Sequence, residues 1–217
     1  MELKNSNKFL LILLVIDCIF ILLSFFDRFS SLNFNNFLVQ SDGLYAEKFQ
    51  YLKFLGIAIL SLCLAINRKA IQFFIFTIIP LYLYWDDSRS LHENFGTKIA
   101  SFLHEGSHVD TLISNFRYQD IGEIIYMSLM AFALLIIFLI SFKLSDKFQK
   151  YFLKKILKLF LVFGFFALFI DSIHQLSGGL IYDLLTIVED GGEMIPISFM
   201  AAYFFEYLTD RRNKLIT

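Results

Sequence analysis

The sequence alternates between long apolar runs and shorter polar segments. Apolar runs of about 17 to 25 residues can cross a bilayer as helices, and six segments reach or approach that length. They cover residues 8–26, 52–67, 70–87, 121–142, 155–175 and roughly 181–208. A backbone surrounded by lipid must satisfy its own hydrogen bonds, so we expect helices rather than strands. The pattern predicts an all-α integral membrane protein, with residues 1–217 forming one bundle of about six transmembrane helices.

Basic residues between the runs predict the orientation of the bundle, because Lys and Arg concentrate in cytoplasmic segments. With a cytoplasmic N-terminus and six crossings, thirteen basic residues lie inside and six outside. The inner set is Lys4, Lys8, Arg68, Lys69, Lys143, Lys147, Lys150, Lys154, Lys155, Lys158, Arg211, Arg212 and Lys214, and the outer set is Arg28, Lys48, Lys53, Arg89, Lys98 and Arg117. The difference predicts cytoplasmic N- and C-termini, outer loops at 27–50 and 88–120, and an integral location in the cell membrane, which is the inner membrane in a bacterium.

The composition agrees with a membrane location. Hydrophobic residues make up 57% of the 217 residues and the mean hydropathy is +0.64, whereas soluble domains are roughly half apolar and a quarter charged. The lipid bilayer is therefore the expected partner. A formal net charge of −1 gives no reason to expect nucleic-acid binding, and the oligomeric state is left open.

Ionisable side chains at three of the predicted spans are the main functional signal. Such groups are costly in hydrocarbon, and they usually face a protein interior or a water-filled site. Spacings of three or four residues put neighbouring members on one helix face, and the predicted topology puts all three groups near the outer leaflet. The candidate site residues are Asp86, His92 and Glu93 at the third span, Asp171 and His174 on the fifth, and Glu189 and Glu193 on the sixth.

These seven residues are of the types that bind metals in helical bundles. Carboxylates and histidines on facing helices are common ligands there, and mixed oxygen and nitrogen donors favour zinc, manganese or iron. A divalent ion would also relieve the repulsion among neighbouring carboxylates. The alternative is that each group is solvated separately at the membrane surface, and Glu189 with Glu193 fits that alternative least well.

Two further features lie inside the predicted spans. Asp17 falls in the middle of the first span. It either joins the site or satisfies a buried hydrogen bond, and the second interpretation is favoured. Gly191 and Gly192 interrupt the last span, where paired glycines allow a neighbouring helix or a ligand to approach closely.

A zincin-like motif occurs in the second outer loop. His104, Glu105 and His108 satisfy the H-E-x-x-H pattern, in which two histidines bind zinc and the glutamate acts as a base. Gly106 and Ser107 weaken the helix that must present both histidines. The motif is therefore a weaker alternative to the seven-residue site, and a polar loop is the competing interpretation.

Two acidic motifs carry a resemblance to a known family. Asp86-Asp87 precedes His92-Glu93 by four residues, an acid follows in a later span, and Glu189-Asp190-Gly191-Gly192-Glu193-Met194 lies at the last span. The chain thus resembles a family of uncharacterised bacterial multipass membrane proteins with a D-E-x4-H-E stretch and an E-E-x-x-E stretch. It departs from that pattern at Asp87 and Asp190, where shorter acids keep the charge. The resemblance implies a multipass membrane protein and names no reaction.

Three classes of function fit these observations. The first is a membrane enzyme whose bound metal activates water or oxygen toward a lipid-like or isoprenoid-like substrate. The second is a proton- or ion-coupled transporter that uses the same acids as a relay. The third is a non-catalytic subunit of a membrane assembly, in which the acids bind helices of a partner protein. The ligand types of the candidate residues put the metal-dependent enzyme slightly ahead, with the transporter and the assembly subunit as alternatives.

Overall fold

The structure, a computed structural model, is built almost entirely of helices. It describes residues 4–29, 35–39, 43–103, 111–113 and 116–209. The α-helices are α1 (Asn5–Phe29), α2 (Tyr45–Arg68), α3 (Ile71–Phe76), α4 (Ile78–Ser88), α5 (Leu91–Leu103), α6 (Tyr118–Leu144), α7 (Lys147–Gly164), α8 (Asp171–Leu176) and α9 (Gly179–Thr209). A 3₁₀ turn covers Asn35–Phe37, a π-helix covers Phe165–Ile170, and two short antiparallel strands, β1 (Thr111–Ile113) and β2 (Phe116–Arg117), precede α6.

Four helical segments are long and apolar enough to cross a membrane. They are Asn5–Phe29, Tyr45–Arg68, Tyr118–Leu144 and Lys147–Ile173. The all-α prediction is confirmed at this level, and these four segments correspond to four of the six predicted spans.

The other two predicted spans have different helical structures. Residues 70–87 form α3 and α4, with Thr77 between them. Pro80 in the first turn of α4 has no N–H to donate to the carbonyl four residues earlier. At the junction the hydroxyl and the backbone N–H of Thr77 both donate to the carbonyl of Phe73, at 2.9 and 3.0 Å. The last span is the 31-residue helix α9, which contains Pro196 and several acidic residues.

The helix α9 lies at the centre of the bundle and packs on α1, α2 and α7. Its second half contributes Phe204 and Tyr207 to a buried aromatic core. The ring of Phe204 meets Phe152 of α7 edge-on at 5.0 Å and Phe76 of α3 at 5.2 Å between centroids. Aromatic pairs at these distances add to the packing energy of the area that they bury.

The helices α1 and α9 run antiparallel, with an ion pair at each end. Lys4 lies 3.3 Å from Glu206 where α1 begins and α9 ends. Arg28 pairs with Asp183 where α1 ends and α9 begins. The first and last described helical turns therefore lie at the same end of the bundle.

The segment 88–120 contains a helix packed against the start of α6. Gly96 of α5 and Gly122 of α6 lie at the crossing, and a Cβ placed on Gly122 would be 2.2 Å from the carbonyl oxygen of Gly96. Only a pair of glycines allows two helix backbones to approach this closely. This crossing fixes the position of His92 and Glu93, which lie in the first turn of α5.

Candidate functional site

A buried ion pair connects α1 and α2 in the interior of the bundle. The ammonium of Lys53 lies 2.8 Å from a carboxylate oxygen of Asp17, and the two side chains are 2% and 0% exposed. The same ammonium donates to the carbonyl of Met194 at 2.9 Å and to the hydroxyl of Ser198 at 3.3 Å. Ser198 in turn donates to the second oxygen of Asp17 at 2.5 Å. Each charge is thus satisfied by groups from α1, α2 and α9.

This pair changes one assignment and supports another. Lys53 is one of the outer basic residues in the predicted topology, but α2 begins at Tyr45 and carries Lys53 into the bundle. Asp17 makes buried hydrogen bonds, as its position in the first span favours. The sequence contained a signal for this pairing, because Asp17 and Lys53 lie in two consecutive apolar helices. The free-energy cost of placing each charge in the membrane is lower when the two charges meet.

An acidic pocket lies beside the buried pair, between α2, α4 and α9. It has a cavity volume of about 70 Å³ and is lined by Val39, Ala46, Glu47, Gln50, Asp87, Asp190, Glu193 and Met194. The amide of Gln50 donates to a carboxylate oxygen of Glu193 at 3.2 Å. Asp190, Asp87 and Glu189 lie close enough to Glu193 to interact with it electrostatically. Four carboxylates therefore line a space that holds only a few water molecules.

Helical spacing joins the acidic pocket to the buried pair. Glu47, Gln50 and Lys53 follow one another at intervals of three residues on α2, and so they share one face. On α9, Met194 lines the acidic pocket and its carbonyl accepts from Lys53. The polar groups thus continue from the acidic pocket to the buried pair without an apolar residue between Gln50 and Lys53 on that face.

A second polar network joins α4, α5 and α6. The hydroxyls of Tyr82 and Tyr126 lie 2.9 Å apart, and each lies 3.1 Å from the same carboxylate oxygen of Asp86. The other oxygen of Asp86 lies 3.3 Å from Nδ1 of His92. We call Tyr82, Asp86, His92 and Tyr126 the tyrosine network. It links the second half of α4 to the first turn of α5 and the third turn of α6.

Charge around His92 favours its protonated form. Partial burial lowers the pKa of His92, but the hydrogen bond and charge of Asp86, with Glu123 and Glu93 nearby, outweigh burial and raise it to about 9. The imidazole is therefore an imidazolium at neutral pH. A protonated imidazole donates hydrogen bonds from both nitrogens.

The structure brings the predicted site residues together in two groups. Asp86, His92 and Glu93 contact one another in the tyrosine network or beside it, and Asp171 of α8 acts electrostatically on Glu123 in the same region. Glu189 and Glu193 belong to the acidic pocket or its border. Adjacent residues of α4 separate the groups, because Asp86 and Asp87 point about 100° apart on a helix.

Metal binding by these residues stays a prediction. Within the part of the chain that the structure describes, no group of three or more His, Cys, Asp and Glu side chains is placed to hold a metal ion. The side chain of His174 lies outside the described part, as do His104, Glu105 and His108.

The paired glycines of α9 receive side chains of neighbouring helices. A Cβ on Gly191 would lie 2.8 Å from Ile21 of α1, and one on Gly192 would lie 2.2 Å from the ring of Phe166 in the π-helix. The close approach expected from the sequence is thus present, and the neighbours are protein side chains. Both contacts lie directly next to Glu193 on α9.

Besides Lys53 and Ser198 of the buried pair, four polar residues of this region were not predicted from the sequence. Gln50 and Glu47 were read as the edge of an outer loop, because the predicted span began at 52. Tyr82 and Glu123 lie in apolar helices and carry no motif. The three-residue spacing of Glu47, Gln50 and Lys53 was the available signal for a polar helix face.

The fold and its buried charges define the class of protein to which this chain belongs. The protein is helical, with several helices able to span a membrane and with polar groups held between them. The chain matches the family described as Domain of unknown function (DUF8692) over residues 49–207, and it belongs to that family. The match agrees with the expected resemblance to an uncharacterised family. No curated protein and no solved structure matches the chain.

Proposed function

We propose that the chain crosses the membrane six times, with both ends on the cytoplasmic side. The ion pair between Lys4 and Glu206 supports an even number of crossings, because it holds the start of α1 beside the end of α9. The charge distribution supports the orientation more strongly than the thirteen-to-six count from the sequence. With Lys53 in the interior, five basic residues are left on the outer side against thirteen on the inner side.

We propose that the protein couples the movement of protons or small cations to transport across this membrane. The observation that carries the proposal is the buried pair of Asp17 and Lys53 directly beside a pocket lined by four carboxylates. Charged side chains between transmembrane helices typically mark ion pathways and proton relays. A purely structural pair would not need an acidic pocket of this kind next to it.

The dimensions of the acidic pocket favour an ion over a lipid-like substrate. Pockets for drug-sized ligands have volumes of about 300 to 1,000 Å³, whereas this cavity measures about 70 Å³. A proton, a small cation or a few waters fit that volume, and an isoprenoid chain does not. The metal-dependent enzyme therefore has less support than the transporter.

The order of the groups suggests how a proton would travel. Glu193 exchanges a proton with water in the acidic pocket, and Gln50 holds its carboxylate beside α2. The next acid along the polar face is Asp17. Protonation of Asp17 would neutralise its charge and weaken its hold on Lys53. Loss of that contact would loosen α1 and α2 from α9, which is the kind of rearrangement that a carrier requires.

Proton flux into proteoliposomes tests this proposal. The full chain is reconstituted with a pH-sensitive dye inside, and an imposed pH gradient drives the flux. We expect Glu193→Gln to reduce the protein-dependent flux at least about 10-fold, since the neutral amide cannot exchange protons in the relay. Glu206→Gln is the matched control, because Glu206 lies on the same helix in a surface ion pair, and it should leave the flux unchanged.

Two outcomes would overturn the proposal. One is a wild-type flux no larger than that of protein-free liposomes under both proton and cation gradients. The other is an equal flux through wild type and Glu193→Gln.

A further inference from the structure

The first three turns of α7 carry an unusual concentration of lysines. Residues 143–158 contain six lysines and one acid. The acid, Asp146, is the N-cap of α7 and accepts from the backbone N–H groups of Phe148 and Gln149 at 2.8 Å. Its charge is thus engaged at the helix N-terminus. Within the described residues, none of the six lysines forms an ion pair.

The lysines of α7 share one face of the helix. At 100° per residue, Lys147, Lys150, Lys154, Lys155 and Lys158 fall within an arc of about 140°. The opposite face carries Phe152, Leu153 and Ile156, which are buried against the aromatic core. The lysine face is therefore turned away from the bundle, and four of its five lysines are exposed.

Aromatic rings hold one lysine of this face in place. The ammonium of Lys155 lies 4.9 Å from the ring centroid of Tyr151 and 5.4 Å from that of Tyr203 on α9. Tyr151 itself is largely exposed on the lysine face. Tyrosines of this kind are enriched at the level of lipid headgroups, where one end of the side chain is wet and the other apolar.

The polarity of the outward face changes abruptly after Lys158. The next exposed residues on α7 and the π-helix are Leu161, Val162, Phe165 and Phe169. An apolar face of this kind belongs in the hydrocarbon of the bilayer. Lys154, Lys155 and Lys158 therefore lie at the boundary where lipid phosphates are found, and long lysine side chains extend readily to that level.

We propose that Lys154, Lys155 and Lys158, with Tyr151, form a binding surface for the headgroups of anionic phospholipids. Clusters of four to eight basic residues next to a membrane span attract acidic lipids, and each lysine near the surface increases the affinity about fivefold. This surface meets α9 at Tyr203, in the half of the helix that follows Glu193, and it does not depend on the transport proposal.

Lipid titration of the purified full chain in detergent tests the surface. Phosphatidylglycerol and phosphatidylcholine are added separately, and bound lipid is counted by native mass spectrometry while the unfolding midpoint is followed. We expect phosphatidylglycerol to bind and to raise the midpoint, and phosphatidylcholine to do so far less. The triple variant Lys154→Gln, Lys155→Gln, Lys158→Gln should bind phosphatidylglycerol on the order of 100-fold more weakly.

Controls separate charge at this surface from charge elsewhere. The matched triple variant Lys48→Gln, Arg89→Gln, Lys98→Gln removes three exposed charges from the other end of the bundle and should keep wild-type lipid binding. Replacing the three α7 lysines by arginine should also keep it. The comparison of the two lipids on the wild-type chain needs no variant, and so it stands even if the glutamine variant fails to fold.

Three results would overturn the proposal. Equal binding of phosphatidylglycerol and phosphatidylcholine by the wild type would exclude headgroup charge as the determinant. Undiminished binding by the α7 glutamine variant would move the site elsewhere. Competition by inorganic phosphate at concentrations equal to those of the lipid would show a free-anion site instead of a lipid surface.

Discussion

Single charged side chains decide how α1, α2 and α9 are held together. Lys53 reaches Asp17, Ser198 and the carbonyl of Met194 within 3.3 Å or less. The contact with Asp17 joins α2 to α1, and the other two contacts join α2 to α9. A buried pair of this kind gains little over a well-packed apolar pair, but removing one partner is costly because the other charge stays buried and uncompensated.

Lys53→Met should therefore destabilise the protein more than its size suggests. The expected loss is about 3–5 kcal/mol in the free energy of unfolding, because Asp17 is left without its counter-charge in the interior. The double variant Asp17→Asn, Lys53→Met removes both charges and should recover a large part of that loss. A double-mutant cycle measures both effects. It compares the unfolding in detergent of wild type, Lys53→Met, Asp17→Asn and the double variant.

The cycle has a clear contrary outcome. If the double variant loses as much stability as the two single variants together, then the effects of Asp17 and Lys53 are additive and the pair contributes no coupling.

His92 gives the protein a stability that depends on pH. Its folded pKa of about 9 exceeds the value of about 6.5 expected in an unfolded chain. The stabilisation from the pair with Asp86 is thus complete below pH 6.5 and is lost as the pH rises through 9. His92→Gln should lower the free energy of unfolding at low pH by up to about 3 kcal/mol and should have little effect above pH 10.

Unfolding midpoints of wild type and His92→Gln between pH 6 and 10.5 check this expectation. In a background with Asp86→Asn, the loss of stability caused by His92→Gln should show no such pH dependence, since the partner charge is gone. A difference between wild type and His92→Gln that stays constant across the whole range would contradict the assignment of the charge to His92.

Contacts between whole helices depend on small residues at the crossings. The helices α5 and α6 touch backbone to backbone at Gly96 and Gly122, whereas α9 accommodates Ile21 and Phe166 over Gly191 and Gly192. The π-helix that carries Phe166 has one extra residue in its turn, and such segments are frequent near functional sites. At both places a glycine lets a neighbour approach groups of the candidate site.

Gly122→Ala should separate α5 from α6. The added Cβ would lie 2.2 Å from a backbone oxygen of Gly96, and a backbone cannot move aside as a flexible side chain can. We expect a loss of about 2–3 kcal/mol in the free energy of unfolding, together with weaker contact between Asp86 and His92. Thermal unfolding and the pH profile described for His92 measure the two effects.

Gly56→Ala is the matched control for this substitution. Gly56 also lies inside a helix, but a Cβ there meets no atom within 4 Å. The change should be neutral or should stabilise the protein by up to about 1 kcal/mol, because alanine has the higher helix propensity. Equal losses from the two substitutions would rule out the backbone contact as the cause.

The whole molecule has a chemical polarity from one end to the other. One end carries the lysine face of α7 together with the ion pair of Lys4 and Glu206. The opposite end carries the tyrosine network and Arg117, which binds Asp120 through its guanidinium and its backbone N–H. The acidic pocket lies nearer to this second end, beside Asp87 of α4. In the proposed topology it therefore receives its protons from the outer side.

Cysteine labelling in intact cells tests the topology. In a background with Cys18→Ala and Cys63→Ala, Lys98→Cys should react with a membrane-impermeant maleimide from outside. Lys143→Cys should react only after the membrane is opened, because it lies in the last turn of α6, at the lysine-rich end. The opposite labelling pattern would reverse the orientation, and labelling of both sites from outside would rule out the single crossing by α6 that is proposed between Lys98 and Lys143.

The apolar runs by themselves determined that the protein is helical and suited to a membrane, because only helix-length stretches without charge can be placed in lipid. They also located Asp17, Glu193 and the paired glycines as positions that needed a partner. The sequence could not give the partners. Lys53 looked like a boundary residue until α2 proved to begin at Tyr45, and a shift of two turns decides whether a lysine faces water or an aspartate.

Only the tertiary structure decided how the acids divide. The sequence placed Asp86 and Asp87 together, and it predicted one site near the outer leaflet. Helix geometry turns these two neighbours in different directions, so that Asp86 joins Tyr82, Tyr126 and His92 while Asp87 faces the acidic pocket with Glu193. Depth along the chain can be counted from residue numbers. The direction in which a side chain meets another helix depends on how the helices pack, and that information is spread over the whole bundle.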